Sequence, residues 1–592
     1  MKFVLGAAAL AVVVLHLTSL PMTIWEYDEN LFAKGVERYE PLKHFPPPPG
    51  SPVFMGAAKL VAPLVGGDAF RTLIAMNAFL TVAGFALLVL AFRAITGSTR
   101  AGILGAALFY VMPAMLVHVT LALSDAGALA LLALALWLGT RRSPVWFAVV
   151  CAAAVGWRPQ FAIAVVPLFF TTVALMRTWR ERLLAIGAFG VACLAWLVPL
   201  MAFTGGVAGF WKWLSGQAAY FAQHDADISR TGRTAGQIGM RFIAHPWGPK
   251  WLAAPVLLLA AIGLVTAVRR RMASVLPVVV MTVVYLAFAM WMMDPADGVR
   301  YALPAHPGIA LLAILGIESL RGVARADWIL VGVYAAGAYL YAAPILRQRT
   351  ATPSPPVAAI RHLRSVAPRN ALILYDLPLK PHAQNLLRDY TCMRVDEGLL
   401  RFGNRVDRPI FELTDSAVDG PGGKVFRWET PDAYSKLTRN HYGAVSVLPM
   451  PTERRFLAVR GIWPPERKGT ESWRWLGAQA TIALPDLGAD RVRLTFATPA
   501  DYPLASNRVL VVVNGAARAE VDVRRGEASV VELPLPGGAA RLEITVAQTF
   551  VPASVPGRLN RDRRKLSVML TGLEQVRTAA SQSTRAATSP RG

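Results

Sequence analysis

A chain of 592 residues that is 54% hydrophobic, with a mean hydropathy of +0.42, is too apolar for a soluble protein and too long for one domain. Its formal charge of +24 does not imply nucleic acid, because much of the excess is arginine in short loops between apolar segments, not clustered in one basic domain. Three cysteines, with Cys151 and Cys193 inside apolar segments and Cys392 alone beyond them, exclude a disulfide framework and a cysteine zinc site.

In chain order the apolar segments read as eleven membrane spans, near residues 3–25, 70–92, 101–117, 121–139, 144–157, 159–176, 183–203, 250–268, 272–292, 302–319 and 328–346. A helix rising about 1.5 Å per residue needs roughly 20 apolar residues to cross the hydrocarbon. One lysine is a thin charged region for a signal peptide and more spans follow, so residues 3–25 read as a retained first helix. Arg93 and Arg100, Arg141 and Arg142, Arg177 with Arg180 and Arg182, Arg269 to Arg271, and Arg321 with Arg325 fall in alternate loops, which the positive-inside rule places in the cytoplasm. The other loops face outward and carry Asp28, Glu29, Asp125, Asp225, Asp227, Asp294 and Asp297. With the amino terminus inside, an odd number of crossings puts everything after residue 347 outside. The expected location is a bacterial-type cytoplasmic (inner) membrane, with the C-terminal domains extracytoplasmic.

The first outer loop, 26–68, is structured by its own sequence. Asn30 to Tyr39 suits a short helix, Pro46 to Pro49 an extended polyproline-like segment, and Val53 to Val65 an interfacial helix too short to cross. Beyond 347 the composition turns soluble. Val357 to Val366 reads as helix, Ala371 to Tyr375 as strand and Ala383 to Tyr390 as helix, a small α/β unit. Farther on, Val509 to Val513, Asn514-Gly515 and Ala519 to Val523 signal a hairpin with a type I′ turn, and the strand spacing suggests a β-sandwich. The expected organisation is a polytopic α-helical membrane domain over 1–346, an α/β region over 347–452, a jelly-roll-like β-sandwich over 453–576 and a disordered tail over 577–592.

An adjacent acidic pair at the mouth of a membrane helix is a poor choice for packing and a good one for interfacial chemistry. Asp28 and Glu29 are such a pair, directly after the first span. Arg158, between two apolar stretches in Gly156-Trp157-Arg158-Pro159, demands a partner, because an unpaired charge there costs at least about 2.5 kcal/mol. Arg300 is similar; a guanidinium can grip a phosphate bidentately.

Tyr27-Asp28-Glu29 after the first span, His44-Phe45-Pro46-Pro47 in the same loop, Ser124-Asp125 opening a later span and Arg300-Tyr301-Ala302-Leu303-Pro304 before a late one together resemble the GT-C superfamily of integral-membrane glycosyltransferases. The group most resembled is that of protein O-mannosyltransferases and aminoarabinose transferases, over about residues 1–346. The resemblance implies a GT-C-like enzyme that moves a sugar from a polyprenyl-phosphate donor to a glycan, lipid or protein acceptor outside the cytoplasm, with inversion. It implies Asp28 as general base, Glu29 and Asp125 as further catalytic carboxylates, and Arg158, Arg300 and Tyr301 at the donor phosphate. A divalent cation, held by Glu29 and His44, is an optional cofactor, since metal dependence varies within the superfamily.

Each residue also has a plainer reading. Asp28 or Asp125 can cap a helix, His44 can be a surface histidine, and the arginines can anchor in headgroups. In the outer sandwich Trp463, Trp473, Trp475 and Asp562 are a candidate carbohydrate-binding set, although such tryptophans often fill a sandwich core. The rival class is a polytopic transporter, flippase or cell-envelope export component without transferase activity. It would show charges in mid-span and two similar halves, which the sequence lacks.

Overall fold

A computed structural model of the protein describes residues 2–577 apart from 142, 225–232, 321–325, 403–404, 419, 421, 430–436, 438–441, 469–470 and 556–561. Asp225, Asp227 and nearly all of the expected tail therefore lie outside the described residues. The chain forms two compact units, the first of residues 1–354 and 429–441, the second of 355–428 and 442–592.

The first unit is helical, and the protein is an integral membrane protein. Among the described residues six helical stretches are long and apolar enough to cross, beginning at Ala69, Trp179, Lys250, Ala273, Pro295 and Asp327. The expectation of eleven spans is corrected here, because several of the apolar segments fold as shorter helices. Residues Lys2–Leu17 form α1, whose 16 residues cover about 24 Å. Where 101–117 read as one span, the chain forms α5 (Thr99–Tyr110) and α6 (Pro113–His118). Pro113 disfavours helix at the residue before it, and Met112 is extended at φ −55°, ψ 133°. Helices α7 (Asp125–Thr140), α8 (Pro144–Trp157) and α9 (Ala162–Ala174) are likewise short.

The outer loop folds as α2 (Tyr27–Glu37) and α3 (Pro52–Val61) before the long α4 (Ala69–Thr96). Pro46 to Pro49 do not run as a continuous polyproline segment: the Gly50 N–H donates to the Pro47 carbonyl at 2.9 Å and closes a turn. Deeper in the unit, helix Lys250–Arg269 meets helix His306–Ser319 backbone to backbone. A Cβ on Gly263 would lie 1.8 Å from the Leu312 carbonyl oxygen, so only glycine allows this approach.

The second unit begins with helix Pro355–Val366. It then builds a five-stranded sheet from β1 (Leu372–Tyr375), β2 (Thr391–Arg394), β3 (Ile410–Thr414), β4 (Lys424–Arg427) and β5 (Ala444–Pro449), in the order β2-β1-β3-β5-β4. The first three strands are parallel and β5 is antiparallel to β3 and β4. The mixed sheet bears out the α/β character of this stretch.

The β-rich part holds β6 (Leu457–Lys468), β7 (Glu471–Leu484), β8 (Arg491–Ala497), β9 (Ser506–Val513), β10 (Ala517–Arg524), β11 (Ala528–Pro534), β12 (Ala540–Val546) and β13 (Met569–Val576). Hydrogen bonding links them into one antiparallel sheet, β10-β9-β12-β7-β13-β8-β11, with β6 on β7. It curls until β10 packs near β11, enclosing a core of Leu476, Ile482, Leu494, Phe496, Val511 and Ile544. The β9–β10 hairpin closes as its sequence demands: Asn514 and Gly515 take φ 48° and 76°, and the Ala516 N–H donates to the Val513 carbonyl at 3.0 Å.

Candidate active site

Asp28 sits in the first turn of α2, where Glu26 is the N-cap, so the capping reading of Asp28 does not apply. Asp125 is the first residue of α7, and Ser124, at the N-cap position, makes no side-chain capping bond. The Asp125 carboxylate is instead clamped between two guanidinium groups. Arg158 Nη1 lies 2.5 Å from Oδ1, and Arg300 Nη2 and Nε each lie 3.1 Å from Oδ2. Arg300 also turns Nη1 toward Asp28 Oδ2 at 3.9 Å, so one arginine spans both carboxylates.

The local sequence explains why these groups can meet. Arg158 precedes Pro159 and is forced out of helix to φ −144°, ψ 97°, breaking α8 from α9 and freeing its side chain to leave the helix axis. The neighbouring Trp157 lies flat against α7, where a Cβ on Gly127 would sit 2.2 Å from the indole, and its Nε1 donates to the Ser124 carbonyl at 3.0 Å. Gly127 thus admits the ring that brings Arg158 to Asp125.

Two polar groups fix the strand of chain that leads into Asp125. Asn77, in the third turn of α4, donates from Nδ2 to the Leu121 and Leu123 carbonyls at 2.6 and 2.7 Å. Glu29 accepts from the Ala122 N–H at 2.7 Å through Oε1, while Oε2 accepts from the N–H groups of Trp25 and Glu26 at 2.6 and 2.7 Å. The same carboxylate therefore ties the helix that carries Asp28 to the loop that carries Asp125. Burial pushes Glu29 up to about 7, against the backbone donors that hold it down.

Burial separates the roles. The side chains of Asp125, Arg158 and Arg300 are 3%, 7% and 12% exposed, whereas that of Asp28 is 39% exposed. Two cations balance two carboxylates, and only Asp28 presents its charge to an incoming molecule. Tyr301, next to Arg300, lies within electrostatic reach of Asp28, Arg158 and Asp297, and its carbonyl accepts from the Tyr285 hydroxyl at 2.8 Å.

Other sequence candidates fall elsewhere. His44 is exposed, with its N–H on the Pro41 carbonyl at 3.1 Å and φ 65°. Glu29 spends both oxygens on backbone donors, so this pair does not fit a cation. Among the described residues no group of three or more His, Cys, Asp or Glu is placed to hold one. In the β-rich part, Trp475 is 8% exposed and packs with Tyr502 and Leu566, which makes it core. Asp562 is engaged by Arg564 at 2.6 Å, and the Arg564 guanidinium lies 5.4 Å over the Trp463 ring. Trp463 and Trp473 both pack against the Trp475 cluster, and Trp473 also lines a cleft. Asn77 and Gly127 went unnoticed in the sequence. An asparagine within an apolar span was the available signal for the first.

No protein-family model matches the chain, and no curated protein matches it in sequence. Among solved structures it is similar to ArnT from Cupriavidus metallidurans, at 14% identity and a TM-score of 0.49 over 75% of this chain and 97% of that one. A second ArnT structure holds undecaprenyl phosphate. It is also similar to the mycobacterial arabinofuranosyltransferase AftD, at 13% identity and a TM-score of 0.41 over 97% of this chain and 61% of that one. The Archaeoglobus fulgidus oligosaccharyltransferase matches at 11% identity and a TM-score of 0.44, over 98% and 97%. Likenesses at these values carry no functional conclusion.

Proposed function

We propose that the protein is a membrane glycosyltransferase that moves a sugar from a polyprenyl-phosphate donor to an acceptor hydroxyl outside the cytoplasm, with Asp28 as general base. One observation carries this reading: a half-exposed carboxylate at a helix start, backed by a buried Asp125–Arg158–Arg300 cluster in which Arg300 faces both acids. In the reaction the acceptor O–H gives its proton to the Asp28 carboxylate as its oxygen bonds to the anomeric carbon. The bond from that carbon to the phosphate oxygen breaks, and the electron pair departs with the phosphate. Attack opposite the leaving group inverts the centre. Arg300 steadies the departing charge, and Arg158 holds Asp125 so that Arg300 keeps its aim. Arg158 is thus a positioning residue in this scheme and not a direct phosphate ligand.

The test is transfer from a panel of radiolabelled polyprenyl-phosphate sugars by the purified full chain. Asp28→Asn is expected to reduce transfer by about 10²–10⁴-fold while leaving expression and thermal unfolding unchanged. Wild-type rates in the variant remove the base assignment. No transfer by the wild type from any donor overturns the transferase reading in favour of transport.

A further inference from the structure

In the β-rich part, strands β7 and β13 pair only at Met569↔Trp475 and Leu570↔Arg474. Beyond that point β13 continues along β8, with a register shift between Leu570 and Gly572, while the start of β7 runs out along β6. The divergence opens a cleft of about 380 Å³, floored by Phe456, Leu570 and Leu573, which are all buried. That volume falls within the about 300–1,000 Å³ typical of small-molecule sites.

The walls have a definite chemistry. Three arginines, Arg454, Arg474 and Arg493, line it with one carboxylate, Glu574, the hydroxyl-bearing Ser472, Thr495 and Thr571, and the half-buried Trp473. Two of the arginines are held in place. Arg493 Nε donates to Glu532 at 2.5 Å, and the Arg474 guanidinium lies 5.4 Å over the Phe456 ring. Thr571, at the register shift, donates its hydroxyl to the Thr495 carbonyl at 3.2 Å and ties β13 to β8. Fixed guanidinium groups match carboxylate and phosphate oxygens, while an indole face beside hydroxyls matches the apolar and polar faces of a sugar ring.

We infer that this cleft is a binding site for an anionic saccharide, one bearing a carboxylate or phosphate group. Electrostatic attraction selects the charge, and Trp473 with the hydroxyls selects the ring. The site lies wholly within the second unit and does not depend on the transferase chemistry of the first. It also replaces the sugar-binding set suggested by the sequence: of Trp463, Trp473, Trp475 and Asp562, only Trp473 lines it.

The experiment is isothermal titration calorimetry on the full chain in nanodiscs. The probes are tetragalacturonate, its neutral methyl ester, glucose 6-phosphate and glucose. At least one anionic probe is expected to bind at least tenfold more tightly than its neutral partner, and which one binds distinguishes carboxylate from phosphate. Arg454→Ala, at an exposed position that leaves the core alone, is expected to weaken it at least fivefold. Ser472→Trp, which fills the cleft without removing a charge, is expected to abolish it. Equal affinity for charged and neutral probes, binding of neither anion, or unchanged binding in both variants overturns the proposal. Asp28→Asn serves as a control that should bind like the wild type, so failure of this site and failure of the transferase reading are read separately.

Discussion

In the helical unit Asp125 is 2% exposed and meets Arg158 at 2.5 Å and Arg300 at 3.1 Å, whereas in the α/β sheet Asp415 is withdrawn from water beside a second carboxylate, Asp376. The two regions solve one problem in opposite ways. Removing a carboxylate from water penalises its charge, which must be matched by a cation or abolished by a proton. Asp125 has its cations, and one of them, Arg300, is also aimed at the half-exposed Asp28. Asp376 instead accepts from the Thr414 hydroxyl at 2.6 Å and the Asp415 N–H at 3.1 Å, and burial, together with the neighbouring Asp376, pushes Asp415 up to about 8. The ion-paired cluster keeps permanent charge where the proposed chemistry uses it; the carboxylate pair stores a proton.

The sharpest break of that contrast is Asp125→Asn. It leaves two buried guanidinium groups facing a neutral amide, and stripping one partner from a buried ion pair costs about 3–5 kcal/mol. Thermal unfolding in detergent should show a marked loss of stability, and transfer should vanish with it. Pairing the change with Arg158→Met removes one orphaned cation, so stability should return in part while transfer stays lost. If Asp125→Asn melts like the wild type, the cluster is open to water and its charge is not the constraint described.

Glu29→Gln tests the brace that joins the two acidic segments. Two of the three backbone donors would still find the amide oxygen, but one N–H would face an NH₂ group, and a buried unsatisfied donor costs about 1–3 kcal/mol. Because the brace connects Trp25 and Glu26 to Ala122, the expected result is a lower melting temperature together with a fall in transfer. Asp28→Asn should cut transfer without the melting shift. Transfer and stability both unchanged in Glu29→Gln would show that Asp28 and Asp125 are positioned by other contacts.

Much of this was legible where the signal is local. Asn514-Gly515 dictates its turn within four residues, and Pro159 ends α8 at Arg158. The pair Asp28-Glu29 and the motif around Arg300 stood out because charge at a membrane boundary is costly. Distance in sequence hid the rest: Arg300 finds Asp125 across 175 positions and Glu29 finds Ala122 across 93. Hydropathy registers apolar runs but not the break at Met112–Pro113, and it counts the short α8 and α9 on either side of Arg158–Pro159 as a crossing each, so it overcounted the crossings. Trp475 and Trp473 are two residues apart on one face of β7 and both pack into the cluster with Tyr502 and Leu566, yet Trp475 is buried while Trp473 is half-buried and also lines the cleft, a difference that composition does not carry.

The smallest expected effect concerns the stored proton. A carboxyl raised from its ordinary 3.8 to about 8 in the folded chain keeps its proton at pH values where the unfolded chain has already lost it. The folded state then binds more protons than the unfolded one, and stability falls as pH rises from about 4 to about 8, levelling above that. Glu29 contributes with the same sign in the helical unit, up to about 7, so the readout must be local. Amide hydrogen exchange at β1 and β3 should accelerate from pH 5 to pH 8, after correction for the intrinsic rate, by more than at β9 in the same molecule. Asp415→Asn removes the proton altogether and should bring the two slopes together. A β3 slope equal to that of β9 in the wild type would mean that Asp415 ionises like an ordinary aspartate, and the contrast with Asp125 would then be one of partners alone.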